Sequence, residues 1–286
     1  MPSRLSPTVR LRRLGAELRR MREAGGLTLD QAGELLERSP SSLSKIENGR
    51  VSIKPRDLRI ILDGYALSDP EKREALLGVA RHGRKKGWWV SYSDLLLPAY
   101  KDLIALESDA ATFRTFETVL VPGLLQTEDY ARAVQWGARL ATNHEEIDAF
   151  VNIRMSRQRV LTREKQPLQL WAILGEAVLL QQIGGRGVMR LQLEHLLEAA
   201  ELPNVTLQAM PYMAGAHPGV NGPFVILGFP DYSDLDVVLL ENLTSSVYLE
   251  REDEIALYGL VFDHLRAHAM SPAESLAMIS RLAKDT

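Results

Sequence analysis

The chain has 286 residues, 45% of them apolar and 25% charged, with a net charge of −3. That length and apolar fraction suit two packed domains, and the absence of cysteine excludes disulfides and cysteine-held metals. No apolar run approaches the roughly 18 residues a transmembrane helix needs, and the opening MPSRLSPTVRLRRLG lacks the apolar core of a signal peptide, so a soluble cytoplasmic protein is expected.

The small net charge conceals a division. Residues 1–87 hold 19 Lys/Arg against 11 Asp/Glu, a net of +8, and the remainder carries −11. A basic half beside an acidic half suits one part meeting phosphate and the other meeting something else.

Residues 1–8 show no pattern and are expected to be disordered. From Val9 to Ala24, Leu11, Leu14, Leu18 and Met21 recur on one helical face, and Gly25-Gly26 stops the helix. Thr28 to Arg50, TLDQAGELLERSPSSLSKIENGR, reads as two short helices joined by a tight turn. Thr28 and Gln31 form a capping box, and Ala32, Leu35 and Leu36 share a face. Ser39-Pro40 opens the second helix, the serine as cap and the proline at the first helical position. Leu43 and Ile46 point inward, while Ser41, Ser42, Ser44 and Lys45 point outward. Asn48-Gly49 ends the helix, since both residues tolerate the left-handed conformation of a helix stop. An outward face of hydroxyls and one lysine can meet base edges in a DNA major groove. Pro55 and Asp69-Pro70 open two further helices, with Leu58, Ile61, Leu62 and Tyr65, and then Leu76, Leu77 and Ala80, turned inward.

Arg81 to Lys86, RHGRKK, reads as a basic linker or as a phosphate-touching extension of the fifth helix, and Trp88-Trp89 as the anchor of a second domain. There, Ala99–Ala110 is expected to be a helix and Thr112–Leu120 a strand. Thr127 caps a helix whose first turn holds Glu128 and Asp129, and Glu145–Thr162 forms a long helix. Strands are expected over 168–174, 205–210, 224–229 and 237–241, and helices over 175–182, 188–201, 254–268 and 272–283. The fold class is therefore mainly α with α+β: a five-helix domain over 1–87, then an α+β domain over 88–286 with a small, mostly antiparallel sheet.

Chemistry is sparse in the second half. His217 sits in the loop GAHPGVNGP (215–223), and Glu241 ends a strand, but no nucleophile motif accompanies them. His264 and His268 lie four apart on a helix without a third ligand, and IGGRG (183–187) follows no βαβ strand. No enzyme, metal or cofactor is expected. The loop with His217 and Asn221 remains a candidate ligand or partner site, because its glycines admit close approach.

The motif S-P-S-x-L-S-K-I-E-N-G-R resembles the recognition helix and following turn of the lambda-repressor-like (Cro/cI, or XRE) helix-turn-helix family. Leu29, Gly33 and Glu37 stand where that family often has a glutamine, an alanine and a glycine. The phrases VPGLLQTEDYARA (121–133), ELPNVTLQ (201–208) and GAHPGVNGPFVILGFPD (215–231) resemble the uncharacterised, antitoxin-like C-terminal domain of streptomycete-type XRE regulators. The resemblance implies a transcriptional regulator, often encoded beside a small partner protein. On this reading Pro40, Ser41, Ser42, Ser44 and Lys45 face the bases of double-stranded DNA, and Thr28, Asn48 (through its backbone amide) and Arg50 hold phosphates. A homodimer on two half-sites is expected, with the acidic half dimerising, holding a partner protein or sensing a small-molecule effector. The alternative is an antitoxin-like adaptor whose C-terminal domain binds a small partner, with DNA binding as autoregulation.

Overall fold

The computed structural model describes residues 9–82, 92, 96–138, 143–229, 236–242 and 245–286. These divide into two units, one up to Leu106 and one from Glu107 onward. The segment 1–8, the stretch 83–87 of the basic run, Trp88-Trp89 and the expected boundary between 87 and 88 lie outside the described residues.

The first unit contains α1 (Val9–Ala24), α2 (Leu29–Leu35), α3 (Pro40–Glu47), α4 (Pro55–Gly64) and α5 (Pro70–His82). Their apolar stripes meet in one core, in which Leu14, Leu18, Leu43, Leu58, Ile61, Leu62 and Leu76 are almost wholly buried. The starts follow the cap chemistry. Thr28 Oγ1 accepts from the Gln31 amide and Gln31 Oε1 from the Thr28 amide, closing the capping box. Ser39 Oγ accepts from the Ser42 amide.

The stops share one geometry. At the ends of α1, α2, α3 and α4, a residue of positive φ follows the cap: Gly26 (69°), Glu37 (51°), Gly49 (65°) and Ala66 (55°). Each time, the next residue's amide donates back to the carbonyl five positions earlier, as in Arg38 to Gly33 and Arg50 to Lys45. This is the Schellman arrangement, which favours glycine because a Cβ crowds the left-handed conformation. Glu37→Gly should therefore stabilise the unit by about 0.5–1 kcal/mol, the relieved strain less the extra freedom of glycine in the unfolded chain. The denaturant unfolding midpoint measures it, and a fall would contradict the assignment.

The remaining elements are α6 (Pro98–Asp109), β1 (Thr112–Glu117), α7 (Glu128–Ala138), α8 (His144–Arg157), β2 (Gln169–Gly175), α9 (Glu176–Leu180), α10 (Arg186–Ala199), β3 (Val205–Met210), β4 (Phe224–Gly228), β5 (Val237–Glu241), β6 (Ser246–Leu249), α11 (Glu252–His268) and α12 (Pro272–Asp285). The long helix expected to Thr162 gives way to a 3-10 turn over Gln158–Leu161. No helix among the described residues is long and apolar enough to cross a membrane.

The sheet corrects the expectation of a small, mostly antiparallel one. It has six strands in the order β3-β2-β1-β4-β5-β6. β1 pairs β2 and β2 pairs β3 in parallel, while β4, β5 and β6 extend the sheet antiparallel. The physical reason is connectivity. Parallel neighbours need a crossover of a dozen or more residues, and α7–α8 and α9–α10 supply the two crossovers.

Phe116, Ile173, Phe224, Ile226 and Val238 bury one face of the sheet with Phe262 and Leu265 of α11. A buried ion pair ties α6 to α8: Arg157 Nε and Nη2 donate to Glu107 Oε2 and Oε1 at 2.8 and 2.5 Å. The carboxyl end of β1, the start of β4 and the end of β5 lie along one edge, at the point where the strand order reverses. In sheets with parallel strands, crevices for ligands form at such an edge.

Candidate nucleic-acid interface

Helix α3 presents one polar arc. At 100° per residue, Pro40, Ser44, Asn48, Ser41 and Lys45 fall in that order across about 140° of its circumference. Pro40, Ser41, Lys45 and Asn48 are exposed and Ser44 is half-buried. Leu43 and Ile46 fall on the opposite side and are buried, and Glu47, beside Pro40 at the edge of the arc, is buried as well. Ser42 sits at the flank, half-buried. The structure thus groups Pro40, Ser41, Ser44 and Lys45 on one arc, with Ser42 about 60° beyond Lys45 and half-buried as Ser44 is.

The expected phosphate contacts divide similarly. Thr28 is exposed, and its hydroxyl oxygen serves the cap while its O–H is left to donate outward. Arg50 is exposed just past the helix end. The Asn48 assignment needs correction in its atom. The Asn48 backbone amide donates to the Ser44 carbonyl as part of the helix, and Nδ2 donates to the same oxygen at 2.7 Å. A phosphate contact through that amide is therefore excluded by the helix itself.

What aims α3 was not read from the sequence. Arg22, in the last turn of α1, forks onto Glu47: Nε to Oε1 at 2.8 Å and Nη2 to Oε2 at 3.0 Å, with Nη1 on the Leu27 carbonyl at 2.7 Å. Both side chains are under a tenth exposed. The hydrogen bonds that Arg22 donates to Glu47 hold its pKa above the ordinary value despite the opposing cost of burial. The helices also touch backbone to backbone. A Cβ on Gly15 would lie 2.4 Å from the Glu47 carbonyl oxygen, and one on Gly49 2.7 Å from the Arg12 amide nitrogen. Gly33 has a like reason: its Cβ would meet the Arg38 carbonyl at 2.7 Å, inside the turn between α2 and α3. The available signal was Glu47 itself, a carboxylate one helical turn past Leu43 at the edge of the inward face.

In the second unit, the loop residues part company. His217 Nδ1 accepts from the Gly219 amide at 3.1 Å, and its ring meets Phe116 edge-on. His217 holds the turn. Asn221 lines a cavity of ≈ 520 Å³ together with Phe224, Glu241 and Tyr258.

Five helices, the second and third meeting across a tight turn and the third showing a polar arc, make this a helix-turn-helix protein, the class whose second motif helix enters the major groove. Residues 13–76 match the helix-turn-helix domain. Residues 100–281 match the domain of unknown function DUF5753, and over that larger part of its length the chain belongs to the DUF5753 family. No curated protein and no solved structure matches it.

Proposed function

We propose that the protein is a cytoplasmic, sequence-specific transcriptional regulator of the XRE type that reads DNA with α3. The observation that carries this reading is the polar arc of Pro40, Ser41, Ser44 and Lys45 on a helix whose other side is clamped to α1. Lys45 points its ammonium outward where a guanine edge lies in a major groove. Arg50, past the helix end, meets the phosphate backbone. The net charge of +8 over residues 1–87 favours that approach, and the −11 of the remainder keeps the second unit off the DNA. The second unit joins two copies, so that two α3 helices reach half-sites one helical turn apart, about 34–36 Å. Such joining raises affinity on the order of a hundredfold. The second unit is also where an effector or a small partner protein acts.

Two substitutions test the reading. Lys45→Ala should cost about 1–3 kcal/mol at one base pair and relax the preference there. Arg50→Ala should weaken binding to every sequence alike and lower the salt slope by about one unit. DNA titrations across a salt series distinguish them. Equal losses on all sequences for Lys45→Ala, with no change of slope for Arg50→Ala, would contradict the assignment.

A further inference from the structure

The cavity lined by Asn221 lies at the sheet edge where the strand order reverses, between the turn Pro218–Asn221, the start of β4, the end of β5, and α11. Its volume of ≈ 520 Å³ is that of a small-molecule site. Phe224, Leu240, Tyr258 and Val261 form apolar walls, and the Phe224 and Tyr258 rings pack edge to face with centroids 5.0 Å apart. Two large apolar side chains at its rim stay open to water, Val220 at 71% and Leu257 at 59%.

We propose that this cavity binds a small organic cation, a protonated amine carried on an apolar body about the size of an aromatic ring. The inference rests on the effector reading of the second unit and names its ligand class. Glu241, Asn221 and Asn242 are the residues with polar side-chain acceptors at the cavity, apart from the Tyr258 hydroxyl. The described lining contains no lysine, arginine or histidine, so an anionic ligand finds no counter-charge there. Aromatic faces beside a carboxylate attract an alkylammonium.

No side chain among the described residues forms an ion pair with Glu241. Arg157 and Arg154 act on it favourably and Glu107 unfavourably, but desolvation outweighs them and raises its pKa. Arg157 is committed to Glu107, and Arg154 donates to Gln126 Oε1 at 2.7 Å. Glu117, at the end of β1, is pushed up to about 8, chiefly by desolvation and further by Glu241, against the hydrogen bond from Thr115. Solvent reaches Glu241. A ligand cation would give this carboxylate a direct partner without displacing a side-chain pair.

The test uses full-length protein with labelled methyl groups, phenethylamine as probe and 2-phenylethanol as its uncharged counterpart. Phenethylamine should shift the methyl resonances of Val220, Leu240, Leu257 and Val261 at millimolar concentration and bind about tenfold more tightly than the alcohol. Glu241→Gln should erase that preference while methyls far from the cavity keep their positions, which shows the fold intact. Val220→Lys, a change at an exposed rim position, should weaken the amine by setting a competing cation beside the carboxylate. The proposal is overturned if phenethylamine leaves these methyls unmoved, if the alcohol binds equally well, or if the preference survives Glu241→Gln. Should the amine bind as expected yet leave operator affinity unchanged, the cavity assignment stands and the effector reading falls.

Discussion

Arg22→Met should cost the N-terminal unit about 3–5 kcal/mol, because it leaves the Glu47 carboxylate buried without its partner. The Leu27 carbonyl loses a charged donor in the same step. Against a typical domain stability of about 5–15 kcal/mol this is a large fraction, so DNA binding should fall with it. The double variant Arg22→Met, Glu47→Leu removes both charges and should recover most of the loss, since an apolar pair of similar volume is often neutral where a broken ion pair is not. Chemical denaturation of the single and double variants gives the cycle. A single variant within about 1 kcal/mol of the parent would mean that α3 is not held by this pair.

Arg157→Met should be equally damaging to the second unit, again by about 3–5 kcal/mol. Arg157 and Glu107 are 6% and 1% exposed and bond through two parallel contacts. The substitution also takes away the larger of the two guanidinium influences that oppose the rise of the Glu241 pKa. The expected result is therefore a lower unfolding midpoint together with a further rise of the Glu241 pKa, readable by carboxyl NMR titration of the variant while folded. An unchanged midpoint would contradict the account of the pair.

Local chemistry was the legible part of this chain. Caps, prolines at first helical positions and apolar spacing placed α1 through α5 almost to the residue, because each is decided within a few positions of sequence. Strands β1 to β5 were legible for the same reason. β6 was not: Ser246–Leu249 is four residues long, half-exposed and without clean alternation. The direction of pairing was missed because it depends on where the intervening helices carry the chain, a non-local matter.

At the interface, spacing separated the exposed arc from Leu43 and Ile46. Ser42 lies between Lys45 and Ile46 on the helix, half-buried. The Asn48 amide was misread because a helix stop engages its own amides before any ligand does. The Arg22–Glu47 clamp joins residues 25 positions apart, and no window of sequence contains both ends of such a pair with its geometry. The cavity at the sheet edge is hidden for the same reason, since its walls come from the Pro218–Asn221 turn, β4, β5 and α11.

The central claim, that the polar arc of α3 reads DNA sequence, is tested most directly by selecting binding sites from a random duplex pool with the full-length protein and with Lys45→Ala. The account predicts that the parent enriches one motif, repeated in two half-sites about one helical turn apart, and that Lys45→Ala enriches the same motif with preference lost at one position in each half. No enriched motif with the parent, or an unaltered motif with the variant, would contradict it.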